Sequence, residues 1–237
     1  ARSLLPFKQW IPEAKLKEIK VSDKPKRFIF NLSENLLSAY ANTELLSKYD
    51  IYQILMDYWA DTMQDDVYVL IQDDWQAGNT LRELVAPKKG TGQGEKLKET
   101  PDLIINKKKY KAELIPPSLI VARSFADAQA QVDTLQAKQD EATQALESYL
   151  EEHGCDEGLL VEATNDKDKI TKASIAARTK LATDAEEVKA LKQATKLFNA
   201  EAAAKKAVKE AQEALDLSVF KQYPELSIDE IKTLIVD

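Results

Sequence analysis

Two long stretches in the second half of the chain limit its fold more than any other feature. From Ser118 onward apolar residues recur in alternating steps of four and three: Val121, Phe125, Ala128, Val132, Leu135, Ala142, Leu146 and Tyr149, with Gln139 the polar exception. That spacing is the seam of a helix packed along another helix. It predicts about thirty residues of continuous helix, roughly 45 Å long at 1.5 Å per residue. Gly154 and Gly158 stop it. A second helix, rich in Ala, Lys and Glu, is predicted from Ala185 to about Leu217. Val188, Leu191, Thr195, Phe198 and Ala202 form its first stripe, and Val208, Ala211 and Leu215 a second after a slip of phase. With a weakly patterned connection between them, residues 159–184, these predict an antiparallel hairpin in which each helix buries its stripe on the other.

The first half is organised around Tyr49–Trp75. Ile51, Leu55, Tyr58, Trp59 and Met63 share one side of a helix whose predicted N-cap is Asp50. After the polar Gln64-Asp65-Asp66, the β-branched run VYVLI predicts a buried strand at Val67–Ile71. Upstream, Arg27 to about Ala41 predicts a helix with Phe30, Leu32, Leu36, Leu37 and Tyr40 inward, and Pro12 suits the first turn of a shorter one. Downstream, Thr80–Val85 fits a strand better than a short helix. Asp102–Asn106 and Tyr110–Ile115 predict a β-hairpin with Lys107, Lys108 and Lys109 at its turn, completing a small antiparallel sheet with Val67–Ile71. The tail, LSIDEIKTLIVD, predicts a helix capped by Ser227 with Glu230 three residues on. The fold class is therefore α+β, predominantly α. Residues 1–26 are a linker segment, 27–117 a small α+β domain, and 118–237 the helical hairpin and C-terminal helix.

Composition removes several functions. One cysteine, Cys155, leaves no internal disulfide and suits a reducing, cytoplasmic setting. With His153 it is two ligands short of a zinc site, so no metal is expected. No Ser-His-Asp, CxxC or HExxH arrangement is present, so no catalytic residue is assigned. Asp65-Asp66 and Asp73-Asp74 read as the ends of elements rather than a metal site. Tyr49, Tyr52, Tyr58, Trp59 and Tyr68 read as core. GTGQG, residues 90–94, lacks the strand before it and helix start after it that a phosphate cradle needs, and reads as a loop. No apolar run is long enough for a membrane span, and the opening ARSLLPFKQW has no signal-peptide core. A net charge of −7 argues against nucleic-acid binding by the chain as a whole. Lys88 to Lys111 is the one basic patch: a solvated, charge-protected edge, or a contact to DNA phosphates through Lys107, Lys108 and Lys109.

Three blocks, YDIYQILMDYWADTMQDDVYVLI, IPPSLIVARSF and YPELSIDEIKTLIVD, resemble in this order the C-terminal region of the modification subunit of type I restriction-modification systems. The resemblance implies a parent that methylates adenine N6 in DNA with S-adenosylmethionine as cofactor. The family's Phe-x-Gly-x-Gly and Asn-Pro-Pro-Phe motifs are not in these residues, so no cofactor-binding residue is assigned and none of the chemistry is expected here. The first methionine is Met56, which fits a piece of a longer protein. The partners implied are the specificity subunit, a second modification subunit, the restriction subunit, and DNA through the assembled complex. The alternative is a free-standing coiled-coil adaptor for another protein.

Overall fold

Helix α1 (Pro25–Ala39) starts on a proline, whose fixed φ suits the first turn and whose missing N–H costs nothing there. The structure is a computed structural model that describes residues 10, 14–41, 47–85, 99–155, 158–165 and 169–236. Pro12 and the GTGQG segment lie outside them. α1 buries Leu32 and Leu36. Phe30, expected on the same face, is 61% exposed. Two residues before Leu32 is about 200° round the helix, the far side.

Helix α2 (Lys48–Tyr58) is capped by Ser47 and not by Asp50. The Ser47 hydroxyl accepts from the Asp50 N–H at 3.1 Å and donates to the Asp50 carboxylate at 2.6 Å. Asp50 is thus the third helical residue, reaching back to the cap. The largest correction lies just beyond. Val67–Ile71 is not a strand but part of helix α3 (Gln64–Asp73), joined to α2 through one π-helical turn, Trp59–Met63. Asp65 and Asp66 do not break the helix: the Gln64 N–H is bonded to the Trp59 carbonyl, so the run stays continuous through the π turn, with Asp65 exposed and Asp66 half-buried on it. Burial follows the helical period: Val67 and Leu70 are inside while Tyr68 is exposed.

The sheet takes its third strand elsewhere. β1 (Leu81–Glu83), β2 (Leu103–Ile105) and β3 (Lys108–Ala112) are antiparallel in the order β1-β3-β2. β2 and β3 are joined by Asn106 and Lys107, both at positive φ (51° and 67°), as a two-residue hairpin turn that matches strand twist requires.

The chain divides into two compact units, residues 1–124 with 218–237, and residues 125–217. The first holds α1–α3, the sheet, α4 (Pro117–Ser124) and the C-terminal helix α8 (Ile228–Val236). α8 therefore groups with the sheet and not with the hairpin, a different division from the one expected at residue 118. Its cap is as predicted: Glu230 accepts from the Ser227 N–H at 3.0 Å, and Ser227 Oγ accepts from the Glu230 N–H at 3.3 Å. Tyr223 is fully buried and donates its hydroxyl to the Ile115 carbonyl at 2.6 Å.

The second unit is the hairpin. Its first helix does not run unbroken from Ser118: α4 ends at Ser124, and α5 (Ala126–His153) restarts after Phe125, whose φ of −131° is not helical. α7 (Ala185–Gln222) belongs to this unit up to Leu217. Thr143 donates to Glu201 at 3.5 Å and the Tyr149 hydroxyl to the Ala190 carbonyl at 3.2 Å, so α5 and α7 run antiparallel. Between them α6 (Lys172–Thr179), capped by a Thr171–Ser174 box, closes a small core of Leu160, Ala163, Ile175, Ala190, Leu191 and Ala194.

Candidate interaction groove

The continuous helical run α2–π–α3 forms one wall of an apolar groove of about 550 Å³ in the first unit. Its floor is Leu36 of α1, Ile51 and Leu55 of α2, Val67 and Leu70 of α3, and Trp75, all buried. Its rim is Ile54, Tyr58 and Thr62, with Ile54 64% and Tyr58 54% exposed. Ile235 and Val236, at the end of α8, contribute to the lining. The π turn sets this geometry. Its hydrogen bond from the Gln64 N–H to the Trp59 carbonyl spans five residues. It thereby turns α3 so that Asp66, Val67 and Leu70 continue the stripe begun by Ile51, Ile54, Leu55 and Tyr58.

Trp75 is fixed from both sides of its sequence neighbourhood. Its indole N–H donates to the Ile19 carbonyl at 2.9 Å, and its backbone N–H to the Asp74 carboxylate at 2.7 Å. Asp74 has φ 63° and ψ 177°, a region normally left to glycine, so the cap is held against backbone strain. Gly78 lets α8 come close: a Cβ there would lie 2.7 Å from Ile231 Cγ2.

Among the described residues, Asp66 is the one charged side chain in the lining. Loss of water, with Asp65 beside it, holds its carboxyl above the ordinary range. Residues 49–80 contain Asp50, Asp57, Asp61, Asp65, Asp66, Asp73 and Asp74 and no Lys, Arg or His. Among the described residues, none of these carboxylates is in an ion pair. Lys232 of α8 is turned to the Trp75 ring, 5.4 Å from its centroid. The groove can hold apolar side chains beside a carboxylate. Among the described residues, its lining brings together no nucleophile and base.

Lys107, Lys108 and Lys109 lie at the β2–β3 turn and the start of β3, away from this lining. Lys108 is bound to Glu83 at 3.1 Å, which raises its pKa, and Lys111 to Asp102 at 2.9 Å. Arg82 is held by Glu99 at 2.6 Å and by Glu113. Acids therefore interleave with the bases of the sheet, and residues 86–98 of the lysine-rich stretch lie outside the described residues. His153 packs against Tyr149, ring centroids 4.3 Å apart, and exposed Cys155 bonds the Glu152 carbonyl. No cluster able to hold a metal occurs among the described residues.

The aromatic residues correct the expectation of a core. Trp59 is buried, but Tyr49, Tyr52, Tyr58 and Tyr68 are exposed. The groove itself was missed because it needs α3 to be a helix. Its signal was the unbroken run from Tyr49 to Thr80 without a basic residue.

Comparison with protein-family models, curated proteins and solved structures yields no match to this chain. Among the described residues, no helix is long and apolar enough to cross a membrane.

Proposed function

We propose that this chain is the non-catalytic C-terminal region of a type I DNA methyltransferase modification subunit and serves to assemble it with its specificity subunit. One observation supports the reading beyond the sequence blocks themselves. The blocks at 49–71, 115–125 and 223–237 are separated by long intervals, yet they share contacts within the first unit. Tyr223 bonds Ile115, Arg123 lies 3.9 Å from Glu230, and Ile235 lines the same groove as Ile51 and Leu70. Segments that depend on one another in this way are expected to be kept together. The hairpin is inserted between the second and third blocks, and two long helices with little chemistry are a strut suited to binding other helices.

The residues here do not fit S-adenosylmethionine. The glycine loop and the Asn-Pro-Pro-Phe motif are not in the sequence, and among the described residues the groove is lined by no glycine. Methyl transfer to a flipped-out adenine belongs to the rest of the parent. The partners in this reading are the specificity subunit, a second modification subunit, the restriction subunit and DNA, in the cytoplasm. At the DNA the β2–β3 tip supplies Lys107 and Lys109, with Lys108 shared with Glu83. Lys107 holds a left-handed conformation that glycine would adopt more cheaply, so its side chain is kept at some cost.

Competition tests the reading. Added in excess to the parent enzyme, this chain is expected to lower the rate of methyl transfer to DNA by taking up specificity subunit. Extra specificity subunit is expected to restore it. An unchanged rate at saturating chain contradicts the proposal.

A further inference from the structure

The length and lining of the groove beside α2 and α3 bear on what could occupy it. Ile54, Tyr58, Thr62 and Asp66 stand along its wall at successive steps of four, about 18 Å of helix at 1.5 Å per residue. A trough of that length matches roughly three turns of a second helix, whose apolar residues at i, i+4 and i+7 would enter it. The floor supplies only hydrocarbon and indole, and the polar side chains of the wall are Tyr58, Thr62 and Asp66. Among the described lining residues the charged side chain is Asp66, on a segment that carries seven aspartates and no basic residue, while Lys232 of α8 lies over the Trp75 ring.

We propose that this groove binds an amphipathic helix of a partner protein, one that carries Lys or Arg beside its apolar stripe. Such a cation would reach Asp66 from above the apolar floor, where the neighbouring Asp65 adds to the negative potential. A burial cost that Asp66 bears in the free chain would be offset by the incoming charge, the arrangement expected of a residue kept for binding. A second copy of this chain is the poorer occupant. A symmetric pairing through the groove would set the two acidic walls against each other, and the whole chain is already at −7. The inference stands on the groove alone and does not depend on the identity of the parent enzyme.

Fluorescence anisotropy with designed probes tests it. The first probe is a labelled Leu/Lys amphipathic helix of about fourteen residues with leucines on the i, i+4, i+7 pattern; the second replaces every Lys by Glu. The Leu/Lys probe is expected to bind one per chain, and the Leu/Glu probe at least about tenfold more weakly. In the double variant Ile54→Ser, Tyr58→Ser, whose side chains are exposed and whose charge is unchanged, the Leu/Lys probe is expected to lose about tenfold in affinity. Asp66→Asn is expected to weaken it severalfold while leaving the melting temperature no lower. Equal binding of the two probes overturns the proposal, as does an affinity that the double variant leaves unchanged. A stable dimer of the unmodified chain that the double variant dissolves also overturns it, in favour of a second copy as the occupant.

Discussion

Tyr223 carries, in one hydrogen bond, much of what joins the two ends of the first unit. Its hydroxyl reaches a carbonyl 108 residues away in sequence, and no local pattern announces that partner. Tyr223→Phe removes the donor and leaves the Ile115 carbonyl without it, so a loss of about 1–1.5 kcal/mol is expected in thermal or denaturant unfolding at pH 7. The pH dependence distinguishes this bond from simple packing. Burial, with Asp102 nearby, pushes the Tyr223 hydroxyl well above the ordinary tyrosine value. The folded chain therefore keeps a proton that the unfolded chain releases from about pH 10 upward. This contribution to stability is fully present below that pH and is lost as pH rises above it. The stability gap between the native chain and Tyr223→Phe should accordingly narrow as pH rises beyond about 10. A gap that stays constant would show that the hydroxyl is not held as described.

At the scale of elements, the hairpin was legible and its flaw was informative. The three-and-four spacing of Val132, Leu135, Gln139, Ala142, Leu146 and Tyr149 coincides with the buried and half-buried side of α5. On α7 the predicted slip of phase falls after Phe198, where Glu201 takes the inward position and Ala202 is exposed. Glu201 meets Thr143 across the hairpin and Lys205 on its own helix, with 16% of its side chain exposed. A polar layer of this kind fixes the register of two helices at a cost in stability. Glu201→Leu is therefore expected to raise the melting temperature of the second unit, by an amount equivalent to about 1 kcal/mol, in differential scanning calorimetry. A lower melting temperature would mean that the carboxylate is a net stabiliser. The π turn and α3 were not legible, for a physical reason. VYVLI has the residues of a strand, and tertiary burial of Val67 and Leu70, which local sequence does not announce, favours the helical spacing instead. The same misreading placed the tyrosines inside. Once the segment is helical, Trp59, Val67 and Leu70 fill the interior, and Tyr52, Tyr58 and Tyr68 turn outward.

At the scale of the whole chain, sequence order and spatial grouping differ. A division at residue 118 follows the change from mixed to helical pattern, but α8 returns to the first unit, where its Ile231 is fully buried and Gly78 makes room for it. The two units have different surfaces to offer. The first has an apolar groove with an acidic wall, and the second has a pair of long helices. Both surfaces suit attachment to other polypeptides. Assembly is therefore the role proposed for the chain, and light scattering coupled to size-exclusion chromatography tests that role most directly. If the proposed parent is right, the chain mixed with the specificity subunit of that system is expected to elute as a complex whose mass includes both polypeptides, without S-adenosylmethionine or DNA present. Separate elution of the two at micromolar concentration, with this chain instead forming a stable oligomer of its own, would contradict the account and favour a self-associating helical adaptor.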